Sequence, residues 1–141
     1  MSTPAVIFHS AETLPPPIGY SHVVEVRRGK LVLISGQVAR DASGSLVGKD
    51  NFRMQLETVF ANLDLAVRAA GGSFKDVVKL NYYCVERVPP GELQTVIEVR
   101  DRYVNTSAPP ASTFVVVNRL VHREWLVEVE ATAVIAEENP Q

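Results

Sequence analysis

The run Leu126-Val-Glu-Val-Glu-Ala-Thr-Ala-Val-Ile135 constrains the fold more than any other part of the chain. A period of two places Val127, Val129, Ala131 and Ala133 on one face, and Leu126, Glu128, Glu130, Thr132 and Val134 on the other. This alternation predicts a strand. Its first face is wholly apolar and needs a cover, most simply helices. Its second face carries two carboxylates two residues apart. An ordinary solvated strand accounts for such a pattern. A face enclosed by a partner subunit would instead put a carboxylate in a water-poor cleft, where it can serve as acid or base.

The 141 residues are enough for one domain that builds its core without metals or disulfides, with an ordered region of about residues 5–135. Fourteen Lys and Arg stand against sixteen Asp and Glu, and no basic block stands out, so no nucleic-acid footprint is expected. The single cysteine, Cys84, excludes an internal disulfide and a multi-cysteine zinc site, and suits a reducing, cytoplasmic setting. The first residues lack the charged and apolar regions of a secretory leader, and no apolar run approaches the length of a membrane span.

In order, Ala5–Phe8 reads as a short strand, and Leu14-Pro-Pro-Pro17 as an extended loop closed by Gly19-Tyr20-Ser21-His22. Val23–Val26 and Leu31–Ser35 read as strands joined in a hairpin through Arg27-Arg-Gly-Lys30. The second runs into Ser35-Gly36-Gln37. Gly36 opens the backbone to close approach by a ligand or another chain, or marks a bulge. Asp50 or Asn51 caps a helix whose stripe, from Phe52 through Leu56, Val59, Phe60, Leu63 and Val67 to Ala70, ends at Gly71-Gly72. Val77–Val85 is a strand stopped by Pro89-Pro-Gly91. A second helix covers Leu93–Val104, with Leu93, Val96, Ile97, Arg100 and Tyr103 as its stripe. Thr113–Leu120 then pairs with the final strand as a second hairpin, and residues 136–141 form a tail that frays. These elements predict one mixed sheet with two helices on one face. Tyr20, Val23, Leu33, Tyr82 and Val134 are assigned to the other face, which is too apolar for water and calls for an oligomer.

Metal chemistry has little support, because His9, His22 and His122 are scattered without ligand spacing. Gly71-Gly72-Ser73 follows a helix, whereas a phosphate loop precedes one. Cys84, between Tyr83 and Val85, reads as a core thiol. Polar groups gathered at strand ends are left to carry chemistry: Tyr20, Ser35, Gly36, Gln37, Ser112, Thr113, Glu128 and Glu130.

Gly19-Tyr20-Ser21, Ser35-Gly36-Gln37, Gln55, Asn62, Gly71, Pro110-Ala111-Ser112 and Val127-Glu-Val-Glu-Ala131 occur in the order that resembles the RidA (YjgF) family. The resemblance covers about Ala5 to Ile135. It implies an α+β, chorismate-mutase-like fold, with a mixed β-sheet and two helices on one face. It implies a homotrimer with small-molecule clefts between subunits, and enamine/imine deamination without a cofactor or metal. By the same resemblance Glu128 is the catalytic carboxylate, and Tyr20, Gly36 and Ser112 are substrate-binding positions.

One departure stands at Ser112. Deaminating members have Pro-Ala-Arg-Ser, whose arginine clamps the substrate carboxylate, where this chain has Pro-Ala-Ser-Thr. A serine predicts a substrate that does not depend on that clamp, unless Arg40, Arg119 or Arg123 replaces it. Two other readings accompany the deaminase: a non-catalytic trimer that binds a small metabolite in the same cleft, and a ribonuclease or translation inhibitor. The acidic charge balance disfavours the latter.

Overall fold

In the computed structural model, which describes residues 3–137, the C-terminal strand β6 (Val127–Ile135) lies inside a four-stranded sheet. It runs antiparallel to β3 (Lys30–Gln37) on one side and to β4 (Val77–Val85) on the other. The edge strand β5 (Ala111–Val117) pairs in parallel with β4, giving the order β3-β6-β4-β5. Alternation along β6 is realised as predicted: Val127, Val129, Ala131 and Ala133 are buried, while Glu128, Glu130 and Thr132 lie on the other face.

Helix α1 (Phe52–Ala69) covers the apolar face across β3 and β6. Asn51 is its cap, with its side-chain oxygen accepting the Met54 N–H at 2.9 Å. Phe52, Leu56, Val59, Phe60, Leu63 and Val67 are buried. Gly71, at φ +92, lets the chain leave the helix. Helix α2 (Leu93–Arg100) packs on α1 and ends earlier than the apolar stripe predicts. Thr95, Val96 and Val99 form its buried side, whereas Leu93 and Ile97 are exposed. The two helices and mixed strands make an α+β fold.

Both expected hairpins are absent. β2 (Val23–Val26) pairs with β1 (Val6–His9) in a separate two-stranded sheet, and β4 lies between β5 and β6. The reason for the second difference is α2. A strand, a helix and a second strand lying parallel form a crossover, which sends β5 to the outside of β4 instead of back beside β6.

One residue also changes face. Tyr82 is 2% exposed and sits in the core, its ring 6.2 Å from that of Phe60 and stacked on Phe114 at 5.3 Å. Val134 is on the outer face, as its pairing with Leu31 requires, but is buried there beneath the turn at Gly29, where a Cβ would strike its side chain. The outer face is apolar through other residues as well: Leu31 and Leu33 are 63% and 76% exposed, and Val115 is also uncovered. Of the tail expected to fray, residues 138–141 lie outside the described residues.

Candidate active site

Glu128 owes its position to a buried amide on α1. Gln55 is wholly enclosed and donates from Nε2 to the carbonyl oxygens of Gly48, at 3.1 Å, and Glu124, at 2.9 Å. Its Oε1 accepts the Leu126 N–H at 2.8 Å. Each bond involves backbone, so Gln55 fixes the chain just before Glu128 emerges on the outer face. Asn62, two turns further along, donates to the carbonyl oxygens of Val38 at 3.2 Å and Arg40 at 3.0 Å. One helix thereby sets the start of β6 and the end of β3.

At that end of β3 the register slips: Ile34 pairs with Ala131, but Gln37 pairs with Val129. Three steps on β3 match two on β6, which is a bulge at Ser35-Gly36. A Cβ built on Gly36 would run into the Glu128 carboxylate. The missing side chain is therefore filled by Glu128, and both explanations for this glycine, bulge and close approach, hold together. Beside it a cavity of about 440 Å³ is lined by Ser35, Gly36, Gln37, Arg40 and Asn62 among others.

The two carboxylates of β6 differ in their partners. Glu130 Oε1 accepts the Tyr83 hydroxyl at 2.6 Å and the Asn81 amide at 3.1 Å, both from β4. Glu128 receives no hydrogen bond among the described residues. Burial, and next the charge of Glu130, raise the Glu128 pKa above its ordinary value. Hydrogen bonding to Glu130, with burial second, raises that of the Tyr83 phenol. An acceptor-only carboxylate held by donors and an unpartnered neighbour that keeps a proton more readily are suited to different tasks: Glu130 holds the frame, and Glu128 can exchange a proton.

Ser112 and Tyr20 belong elsewhere. Ser112 pairs with Leu80 and shares its helix-side face, whereas Glu128 is on the outer face. Strand spacings place the two roughly 14 Å apart along the sheet. Tyr20 sits on a loop tied to the segment before β5: the Ser21 N–H donates to Pro110 O at 3.1 Å, and the Ser21 hydroxyl to Pro109 O at 2.6 Å. The predicted residues thus form two pairs, Gly36 with Glu128 and Tyr20 with Ser112, and one chain does not bring the pairs together.

None of the three arginines proposed from sequence sits beside Ser112. Arg40 lies over the Trp125 ring at 5.7 Å, Arg119 donates to Val121 O at 3.4 Å, and Arg123 is exposed on the connection between β5 and β6. Arg100 is the arginine against the Tyr20 loop, where a Cβ on Gly19 would overlap its guanidinium. Its place in an apolar stripe disguised it in the sequence. Cys84 is in the core, and burial pushes its thiol up to about 11, far from a thiolate at neutral pH. Among the described residues no cluster of three His, Cys, Asp or Glu side chains is placed to hold a metal, and no helix is long and apolar enough to cross a membrane.

The profile of the family described as Endoribonuclease L-PSP matches residues 11–135. The chain is 34% identical over 125 residues to protein DfrA of Myxococcus xanthus, covering 88% of this chain and 92% of that protein. It is 33% identical over 129 residues to a RutC family protein of Pyrococcus abyssi, covering 91% and 94%. Among solved structures, the Rid-family protein YyfB of Yersinia pestis superimposes with a TM-score of 0.83 at 35% identity, covering 93% of this chain and 99% of that one. RidA of a Psychrobacter species superimposes at 0.66 with 32% identity, covering 89% and 97%.

Proposed function

The chain belongs to the Endoribonuclease L-PSP (YjgF/RutC/RidA) family, and from that premise we propose that it hydrolyses reactive enamines and imines to a carbonyl compound and ammonia. The observation that carries this reading is Glu128 itself. Its carboxylate is unpartnered, partly enclosed, seated against the bare backbone of Gly36, and next to a second carboxylate that is held in place. Imine hydrolysis asks for little more. A protonated imine carbon is already electrophilic, and a carboxylate that orients water and accepts its proton promotes the addition. The same group, once protonated, can return the proton to the departing amine. No cofactor enters this scheme.

The cleft in this proposal lies between copies of the chain. Gly36 and Glu128 occupy one face of the sheet, and Tyr20 and Ser112 the region around its edge strand, so one substrate can meet both pairs only if a neighbouring chain supplies the second. Exposed Leu31 and Leu33 offer the apolar surface for that contact. A homotrimer is the proposed assembly, in a cytoplasmic setting.

The family's printed description names an endoribonuclease. A net charge of −2 and two carboxylates on the candidate face give a phosphodiester little to bind, which favours the small, electrophilic substrate. A non-catalytic metabolite-binding trimer would use the same cleft and is separated by the same assay: ammonia release from a panel of freshly generated imines, with and without a 2-carboxylate. Release above the uncatalysed rate from any of them is expected. Binding of the corresponding carbonyl compounds without any acceleration would favour the metabolite-binding trimer.

A further inference from the structure

Helix α2 leaves one end of the sheet uncovered. By register, Ser112, Phe114 and Val116 of β5 share the helix-side face with Leu80, Tyr82 and Cys84 of β4. Phe114 is stacked on Tyr82, whereas Val116, opposite Cys84, is 63% exposed. The helix begins only at Leu93, after the short 3-10 turn Pro90–Glu92, and that first residue is 52% exposed. A cavity of about 200 Å³ lies in the gap. Buried Phe52, Cys84 and Val96 line its depth, and Val88, Leu93, Phe114 and Val116 its sides.

The rim of this cavity is fixed. Pro89 and Pro90 each lock a backbone angle, the Val88 N–H donates to Val85 O at 3.2 Å, and the Glu92 N–H donates to Pro89 O at 3.0 Å. A cavity held open in this way asks a ligand to order little of the chain. Its charged lining is of one sign, Glu86 and Glu92, with no Lys, Arg or His among the described residues. One oxygen of Glu92 accepts the buried Thr95 hydroxyl at 2.7 Å, which holds the carboxylate at the start of α2 and leaves its second oxygen without a donor among the described residues. Of the neighbouring cations, Arg87 lines an adjoining hollow that shares Glu92 with this one, and Arg53 is held by Glu98 at 2.6 Å. Among the described residues neither pairs with Glu86 or Glu92.

We propose that this cavity is a second ligand site that binds a small apolar amine, with its hydrocarbon body against Phe52, Cys84, Val96 and Phe114 and its ammonium group at the Glu86 and Glu92 carboxylates. Volume and charge together carry the inference. An apolar cavity of roughly 150 Å³ is enough to hold benzene, so this one accepts a single ring or a short branched chain. Lined by carbon and two carboxylates, it offers an anion no partner and a cation two. Cys84 fits the apolar role: burial keeps the thiol protonated at neutral pH, so it supplies a soft contact and no charge of its own. The cavity is on the helix side of the sheet and Glu128 on the outer side, so this site does not depend on the imine-hydrolase reading.

The test is a calorimetric titration of the assembled protein at neutral pH with benzylamine, benzyl alcohol and benzoate, three probes of similar shape and different charge. The wild type is expected to bind benzylamine with a dissociation constant at or below about 1 mM, the alcohol about 3- to 10-fold more weakly, and benzoate not measurably. Val116→Trp, at an exposed position, should fill the cavity and abolish binding. Replacing Glu86 and Glu92 together by Gln should bring benzylamine to the level of the alcohol while leaving the alcohol unaffected. Glu86→Gln alone keeps the test decisive if the double variant fails to fold, and should weaken benzylamine by about 2- to 5-fold. Glu128→Gln should bind benzylamine as the wild type does. Absence of benzylamine binding, equal affinity for amine and alcohol, tighter binding of benzoate, binding retained in Val116→Trp, or a loss that follows Glu128→Gln would each overturn the proposal.

Discussion

Tyr83 donates its hydroxyl to Glu130 at 2.6 Å, while its register partner on β6, Glu128, has no donor among the described residues. The pair separates two carboxylates that the alternation of β6 places on one face. Glu128→Gln should reduce imine hydrolysis by about 10²–10⁴-fold, as loss of a positioned base does, with the assembly intact. Glu130→Gln should affect stability more than rate, because it disturbs the bonds to Tyr83 and Asn81. Steady-state ammonia release from both variants, checked by light scattering, would detect the reverse assignment as an inactive Glu130→Gln beside an unaltered Glu128→Gln.

The raised pKa of Glu128 has a thermodynamic counterpart. The folded chain binds this proton more tightly than the unfolded chain, so the stability contribution is complete below the unfolded value, near 4.5, and is lost as pH rises through the folded value. Replacing the carboxylate by an amide removes that loss. Glu128→Gln should therefore melt above wild type at pH 7, with the advantage shrinking toward pH 4. Thermal melts across that range check the sign, and a variant less stable at pH 7 would contradict it.

Gly36→Ala tests the seat of the carboxylate. Gly36 has no positive φ, so alanine suits its backbone, but the added methyl would overlap the Glu128 side chain. The expected variant is folded, with activity reduced by at least tenfold and a displaced Glu128. Unchanged turnover would show that the carboxylate works from another rotamer.

Assembly can be tested on the outer face. Leu33, 76% exposed in the isolated chain, is the apolar residue best placed to meet a neighbour. Light scattering of the wild type should give the mass of three 15.5 kDa chains, and Leu33→Glu should shift it toward the monomer. If the cleft is shared, activity should fall with it. A wild-type monomer at micromolar concentration would leave the intersubunit site without support.

Much of this arrangement was legible in the sequence because its signals are local. The α1 stripe, the Asn51 cap and the two faces of β6 each depend on spacing within a few turns or pleats. Strand partnership is not local. The hairpin inferred between β5 and β6 failed because α2, lying between β4 and β5, required a parallel crossover, a signal present in the element order but outweighed by the short connection before β6. The face of Tyr82 was also readable: Lys79 and Asn81 alternate with Leu80, which puts Tyr83 outside and Tyr82 inside, but two adjacent tyrosines blur the pattern. For the candidate site, the resemblance pointed to Glu128 and Gly36, which the fold brings together. No spacing rule could have found Arg100 against Gly19, because that proximity exists only once two distant segments have packed.

The bulge at Ser35-Gly36 makes chain length, as well as residue identity, a constraint. Because β3 takes three steps there for two on β6, Ile34 and Gln37 both meet inward-facing partners although an odd number separates them. Deleting either bulge residue would restore one-for-one pairing and still leave Gln37 opposite Val129, so the strand and the Asn62 bonds to Val38 and Arg40 would keep their phase, but the local bend that seats the Glu128 carboxylate against bare backbone would go. Residues can be gained or lost cheaply in the exposed loop at residues 41–45, whereas a single deletion six residues earlier would leave a sheet that still folds and a Glu128 without its seat.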